Sequence, residues 1–205
     1  VFDMSSLSAS EIEGRSAHVF SAEISKLKEA ETTACHKNIH EIYHDIFRGG
    51  MPRLVTTNIE RDRFYADYIN TYLERDIKDL SQVGKLSEFY DFLVLLAART
   101  AQELKYDELA KAVGVSSPTI KNWVSILERS GIVVILRPYA TTLTNRIVKT
   151  PKIYFMDTGL CAYLCRWPTS ETLENGAMDG AFLETYVVSE IIKSYYNAGK
   201  RIDLY

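Results

Sequence analysis

Along most of the chain apolar residues return every three or four positions, the spacing of an amphipathic helix, and two short stretches stand out as exceptions. Ser5 to Glu13 sets serines ahead of acidic residues, the order of a capped helix start. Glu23 to Phe47 is polar with helical periodicity. It stops at Gly49-Gly50-Met51-Pro52, a turn, because glycine accepts positive φ and proline does not continue a helix. From Arg61 to Leu80, the residues Phe64, Tyr65, Tyr68, Ile69, Tyr72, Leu73 and Ile77 form one aromatic-rich stripe. Leu86 to Ala98 is apolar almost all round, which predicts a buried helix. The two exceptions, Ile132–Leu136 and Lys152–Met156, read as short strands. The fold class that follows is mainly α with a small β wing.

The most specific pattern lies in residues 106–125, which read as a helix-turn-helix. Ala110 stands where two helices cross too closely for a larger side chain, and Gly114 stands at the turn, where a left-handed backbone is needed. Leu109, Val113, Val115, Ile120 and Trp123 fill the positions that pack the two helices together. The second helix is expected to take Ser117 as its N-cap and Pro118 as its first residue. At about 100° per residue, Ile120, Trp123, Val124 and Leu127 share the inward face. Pro118, Lys121, Asn122, Ser125 and Arg129 then face outward, with no carboxylate until Glu128 at the edge.

Such a face suits a recognition helix: Lys and Arg for guanine or phosphate, Asn for adenine. It would equally suit a solvated face in a protein-interaction module. Ser130-Gly131 ends the helix, and the two strands follow. The loop region around them holds Arg137, Arg146, Lys149 and Lys152 with no acidic residue. Helix, helix-turn-helix and two strands with a basic loop make a winged helix, whose first helix is Leu86–Ala98. The four cations are candidates to neutralise backbone phosphates, adding affinity without sequence information.

Charge strengthens this reading, because it is uneven. Residues 100–156 carry 8 basic and 4 acidic side chains, within a chain of net charge −3. Composition otherwise sets bounds. With 205 residues, 46% hydrophobic, the chain is long enough to bury a core without disulfide or metal staples. No run of ~18 apolar residues is present for a membrane helix, and no secretory leader opens the sequence. Three cysteines, an odd number, speak against a disulfide framework and for a reducing, cytoplasmic setting. The chain opens at Val1 and ends at Arg201-Ile-Asp-Leu-Tyr205, which reads as mid-strand, so a piece of a longer protein is expected.

Several stretches resemble bacterial and archaeal AAA-type ATP-binding proteins that carry a C-terminal domain of unknown function. They are Gly49-Gly-Met-Pro52, Tyr72-Leu-Glu-Arg-Asp-Ile77, the helix-turn-helix, Lys152-Ile-Tyr-Phe-Met-Asp-Thr-Gly-Leu160 and Gly180-Ala-Phe-Leu-Glu-Thr-Tyr-Val-Val-Ser-Glu-Ile191. The resemblance implies the end of an ATPase core in residues 1–22, a helical lid in 23–82 and the winged helix in 83–157. It also implies the truncated start of a nuclease-like α/β domain, of the PD-(D/E)xK kind, in 158–205. In that frame Glu184 resembles the acidic residue of the nuclease's first helix, and Gly49, Gly50, Pro52 and Arg75 would lie in the lid near nucleotide. ATP and Mg would serve the full-length protein.

The departures are equally plain. No G-x-x-x-x-G-K-[ST] phosphate loop occurs, and the Asp and Glu-x-Lys of a nuclease site are missing, so the fragment itself is expected to hold no cofactor and to catalyse neither reaction. Gly49 and Gly50 could offer backbone N–H groups to phosphate, but they read better as a turn. Arg75 could reach nucleotide phosphates, but pairing with Asp79 at i+4 is the better reading. Cys35, His36, His40 and His44 stand at helical spacing, where His at i and i+4 can hold zinc; with no carboxylate fixed opposite, a solvated face is expected and no metal site. Cys161 and Cys165 read as structural thiols on an apolar helix. The expected partners are duplex DNA and an ATPase domain, with no membrane and with room for an oligomer. The alternatives are a protein-docking scaffold and a fragment of a nuclease.

Overall fold

The computed structural model describes residues 5–16, 18–33, 36–72, 86–139, 150–200 and 204–205. Arg75, Asp79, Arg146, Lys149, Cys35 and residues 201–203 of the strand expected over Arg201–Tyr205 lie outside the described residues. The chain is mainly helical with one small antiparallel sheet. Helix α1 (Ala9–Ile12) starts at Ser8, whose hydroxyl accepts from the Glu11 N–H while the Glu11 carboxylate accepts from the Ser8 N–H at 2.8 Å. The single polar helix expected from Glu23 to Phe47 is two helices, α2 (Ile24–Thr33) and α3 (Ile39–Arg48). The reason is a second reciprocal cap: the Asn38 side chain accepts from the Glu41 N–H and Glu41 accepts from the Asn38 N–H at 2.7 Å. After Gly49 the chain turns into α4 (Pro52–Thr56) and then α5 (Arg61–Tyr72), which buries Tyr65 and Ile69.

Helix α6 (Leu86–Ala97) is buried along Phe89, Phe92, Leu93, Leu96 and Ala97, as its pattern required. The order then runs β1 (Gln102–Glu103), α7 (Tyr106–Val113), α8 (Ser117–Arg129), β2 (Val133–Leu136) and β3 (Lys152–Phe155). Strand β1 was not expected from the pattern. It is two residues long and is held by its flanks, where Ala101 N–H and Leu104 N–H donate to the Ile153 and Pro151 carbonyls at 2.8 Å each. The sheet order is β1-β3-β2, with Gln102 opposite Ile153, and Val133 opposite Phe155. Alternation along β3 sends Ile153 and Phe155 into the main core, while Lys152 and Tyr154 meet the last helix. That part of the chain comprises α9 (Thr158–Leu164), α10 (Ser170–Glu174) and α11 (Asp179–Asn197).

One buried cluster runs from Tyr43 and Ile46 on α3 through Phe92, Trp123 and Ile153 to Leu160 and Phe182. Within it Phe89 and Phe92 pack their rings against Trp123 at 5.1 and 5.4 Å. The division expected between residues 157 and 158 therefore does not separate two cores. Leu160, Cys161 and Leu164 bury against the same residues as β3, and the Thr185 hydroxyl on α11 bonds that of Thr100 after α6 at 2.8 Å. Nor do residues 5–20 stand apart: Ala9 N–H donates to Glu190 and Phe20 N–H donates to Ser194, both on α11, at 2.8 and 3.0 Å. No helix among the described residues is long and apolar enough to cross a membrane.

Lys37 ties this N-terminal segment to α3, with Nζ 2.5 Å from both Glu13 Oε1 and Asp45 Oδ2. Burial raises the Glu13 pKa, but the bonds from Lys37 and Arg15 outweigh it and hold the carboxyl below its usual 4.5. Burial likewise opposes the charge of Lys37, yet Asp45 and Glu13 lift it above 10.5. The Glu13 contribution is present above 4.5 and lost as pH falls through its lowered value; that of Lys37 is present below 10.5 and lost as pH rises through its raised value. Lys37→Met should cost about 1 kcal/mol at neutral pH, or roughly 2–4 °C in melting temperature, and the deficit should shrink in acid. Thermal melts of both proteins across pH check this, and a deficit that persists unchanged in acid would contradict it.

Candidate nucleic-acid interface

Helix α7 ends at Gly114, whose backbone is left-handed (φ 81°, ψ 29°) and whose N–H returns to the Ala110 carbonyl at 2.9 Å. A Cβ on Gly114 would meet nothing, so the position demands glycine for its φ and not for space. The cap of α8 differs from expectation by one residue. Ser116, not Ser117, is the N-cap, its hydroxyl accepting from the Thr119 N–H at 3.3 Å, and Pro118 takes the second helical position. Ser117 instead donates its hydroxyl to Asp107 on α7. Ile120, Trp123, Val124 and Leu127 are buried as the periodicity required, and Ile126 is buried with them.

Lys121, Asn122 and Arg129 are exposed on the other face of α8, and Ser125 is half-buried. Among the described residues, neither Asn122 nor Arg129 uses its side chain in a hydrogen bond or ion pair. Lys121 holds Nζ 5.6 Å above the Tyr106 ring. Tyr106, the first residue of the motif, thus lies beside this face. Burial raises its hydroxyl pKa, Glu128 adds to the rise and Arg137 opposes it, so both charges act on this ring's edge. Arg137 itself is exposed just after β2.

Lys152 behaves differently. Its Nζ lies 2.7 Å from Glu184 Oε1 on α11, and the Tyr154 hydroxyl donates to the same oxygen at 2.7 Å. Burial raises the Glu184 pKa, but Lys152 and Tyr154 outweigh it and leave it lowered; burial and Glu184 together raise that of Tyr154. The two residues read for separate tasks, phosphate neutralisation and nuclease acid, thus neutralise one another. Neither is an unpaired charge in this conformation.

Of the residues expected near nucleotide, Gly49 and Gly50 are also committed. Gly49 N–H donates to the Asp45 carbonyl at 2.9 Å, and Gly50 N–H to Asp157 Oδ2 at 2.9 Å, so the amides a phosphate would need are already bonded. Pro52 opens α4. Asp157 is the hub of this junction. It caps α9 by accepting from the Leu160 N–H at 2.8 Å, and it accepts from the Tyr65 hydroxyl at 2.8 Å. Beside it, Arg61 donates to the Phe47 and Gly159 carbonyls at 2.7 and 3.1 Å and lies 3.7 Å above the Phe47 ring. The sequence did carry a signal for Asp157, an Asp directly ahead of small residues and a helical run.

The histidine face breaks up because His36 precedes the Asn38 cap, while His40 bonds Glu174 on α10 at 2.8 Å. No group of three or more His, Cys, Asp or Glu among the described residues could hold a metal ion. Cys161 is fully buried, which pushes its thiol well up, and Cys165 is half-buried beside it. Elsewhere a groove of about 700 Å³, lined in part by Val19, Phe20, Leu27, Val187 and Ile191, lies between the N-terminal segment and α11.

A family model described as a domain of unknown function, DUF8612, matches residues 39–171, from the first residue of α3 into α10. An uncharacterized protein of Mycobacterium tuberculosis and one of Mycobacterium bovis are each 29% identical over 146 residues, covering 70% of this chain and 33% of theirs. The matched stretch thus spans about a third of the length of these curated relatives. No solved structure matches.

Proposed function

The chain belongs to the DUF8612 family, and we propose that it is the DNA-contacting part of an AAA-type ATP-binding protein of the cytoplasm, with a winged helix built from α6, β1, α7, α8, β2 and β3. The observation that carries this reading is the solvent face of α8. Lys121, Asn122, Ser125 and Arg129 stand together there with Glu128 at the edge as the one acidic side chain of α8, and Arg137 adds positive charge just after β2. Lys121 and Arg129 would meet phosphate or guanine, Asn122 would address adenine, and Arg137 would take the backbone. Arg146 and Lys149 belong to the same basic loop in sequence. In the whole protein, ATP and Mg would act through the ATPase domain and reposition this unit.

The test is binding to a mixed-sequence duplex by fluorescence anisotropy across salt. The observed constant should fall linearly with salt on logarithmic axes, by about 0.9 in slope for each phosphate neutralised. A second reading, a docking scaffold, is favoured by the apolar groove at α11, where Phe20, Leu27 and Val187 remain exposed. It predicts no affinity for duplex at low salt. Glu184, held by Lys152 and Tyr154, lends no support to a nuclease.

A further inference from the structure

We infer that Glu184 is a self-inhibitory clasp on the DNA-contacting surface: it occupies Lys152, and a DNA phosphate must displace it to take that lysine. The inference rests on the DNA-contacting reading above. Lys152 is the first residue of β3 and pairs with Leu136, the residue before Arg137, so strand register sets it beside a cation already assigned to the phosphate backbone. Its side chain and that of Glu184 are 45% and 43% exposed, so solvent and phosphate reach both. An ion pair this open is weak, and a phosphate releasing counterions can overcome it.

What makes it a device and not a chance surface contact is Tyr154. Its ring is buried, at 2% exposure, and its hydroxyl fixes the Glu184 carboxylate whether or not Lys152 is present. The carboxylate therefore stays in place when Lys152 leaves, and the clasp re-forms when the phosphate goes. Strand register sets Glu103 on β1 opposite Lys152 as well, so two carboxylates border the lysine while, among the described residues, only Glu184 bonds it.

The experiment measures duplex affinity over salt for the full chain, Glu184→Gln, Lys152→Gln and the double variant. Glu171→Gln on α10 serves as the control for net charge alone. Glutamine keeps an oxygen for the Tyr154 hydroxyl, so the fold is preserved, and thermal melts verify it. Glu184→Gln should bind about two- to five-fold more tightly and steepen the salt slope by about 0.9. Both gains should vanish in the double variant, and Glu171→Gln should show neither. If the chain binds duplex but Glu184→Gln matches it, or gains affinity that survives loss of Lys152, the clasp is refuted while the DNA-contacting reading stands. If no protein in the set binds duplex at low salt, that reading fails and the clasp with it.

Discussion

Gly49→Ala is expected to lower the melting temperature by roughly 8–16 °C. Two costs coincide. Gly49 has φ +78° and ψ −178°, a region that penalises an L-residue by about 1–3 kcal/mol. Its Cβ would also stand 2.3 Å from the Tyr65 hydroxyl oxygen, 2.6 Å from Asp157 Oδ1 and 2.9 Å from Gly159 Cα. The last of these is backbone and does not yield, so the α3–α4 turn must lift off α9. Together the costs come to about 4 kcal/mol. Circular dichroism melts check this; a variant melting within a degree or two of the parent would show that the junction is not close-packed as described.

Asp157→Ala should come next, at about 3–5 kcal/mol. Three donors lose their acceptor at once: the Gly50 N–H, the Leu160 N–H and the Tyr65 hydroxyl. Asp157 is 4% exposed, so water does not replace its carboxylate readily. Tyr65→Phe removes one of those bonds and should cost about 1 kcal/mol. Because the two residues share a bond, the double variant should cost less than the sum. Urea titrations of the four proteins measure this. Additive losses would mean that Tyr65 and Asp157 act separately.

These two predictions bear on function through position. Asp157 follows β3 by two residues, and β3 is the central strand beside β2, which α8 feeds. The junction therefore fixes the frame on which the solvent face of α8 is presented.

Local rules carried the sequence reading far where the determinants lie within a few residues. The helix-turn-helix spacing, the left-handed Gly114 and the alternating burial of α8 are all local, and each was legible. The Asn38–Glu41 cap is also local; helical periodicity alone does not register it, and so joins α2 to α3 and aligns His36 with His40 and His44. What could not be read was pairing across long separations. Strand β1 exists because Ile153 and Pro151 accept its neighbours' amides, and nothing in Gln102-Glu103 announces that. The Lys152–Glu184 pair joins residues 32 apart, and the Gly50–Asp157 bond residues 107 apart. Residue type placed Lys152 among the basic residues of the loop; only the fold reveals that its charge is already matched.

The measurement that bears most directly on the account is duplex binding by the chain beside Lys121→Glu/Arg129→Glu, both titrated over salt by fluorescence anisotropy. The account predicts salt-sensitive binding by the parent chain. The double variant should lose binding at moderate salt, with a slope shallower by about 1.8 where it can still be measured, since two phosphate contacts are gone. Binding that is indifferent to the two reversals, or absent from the parent at low salt, would contradict it.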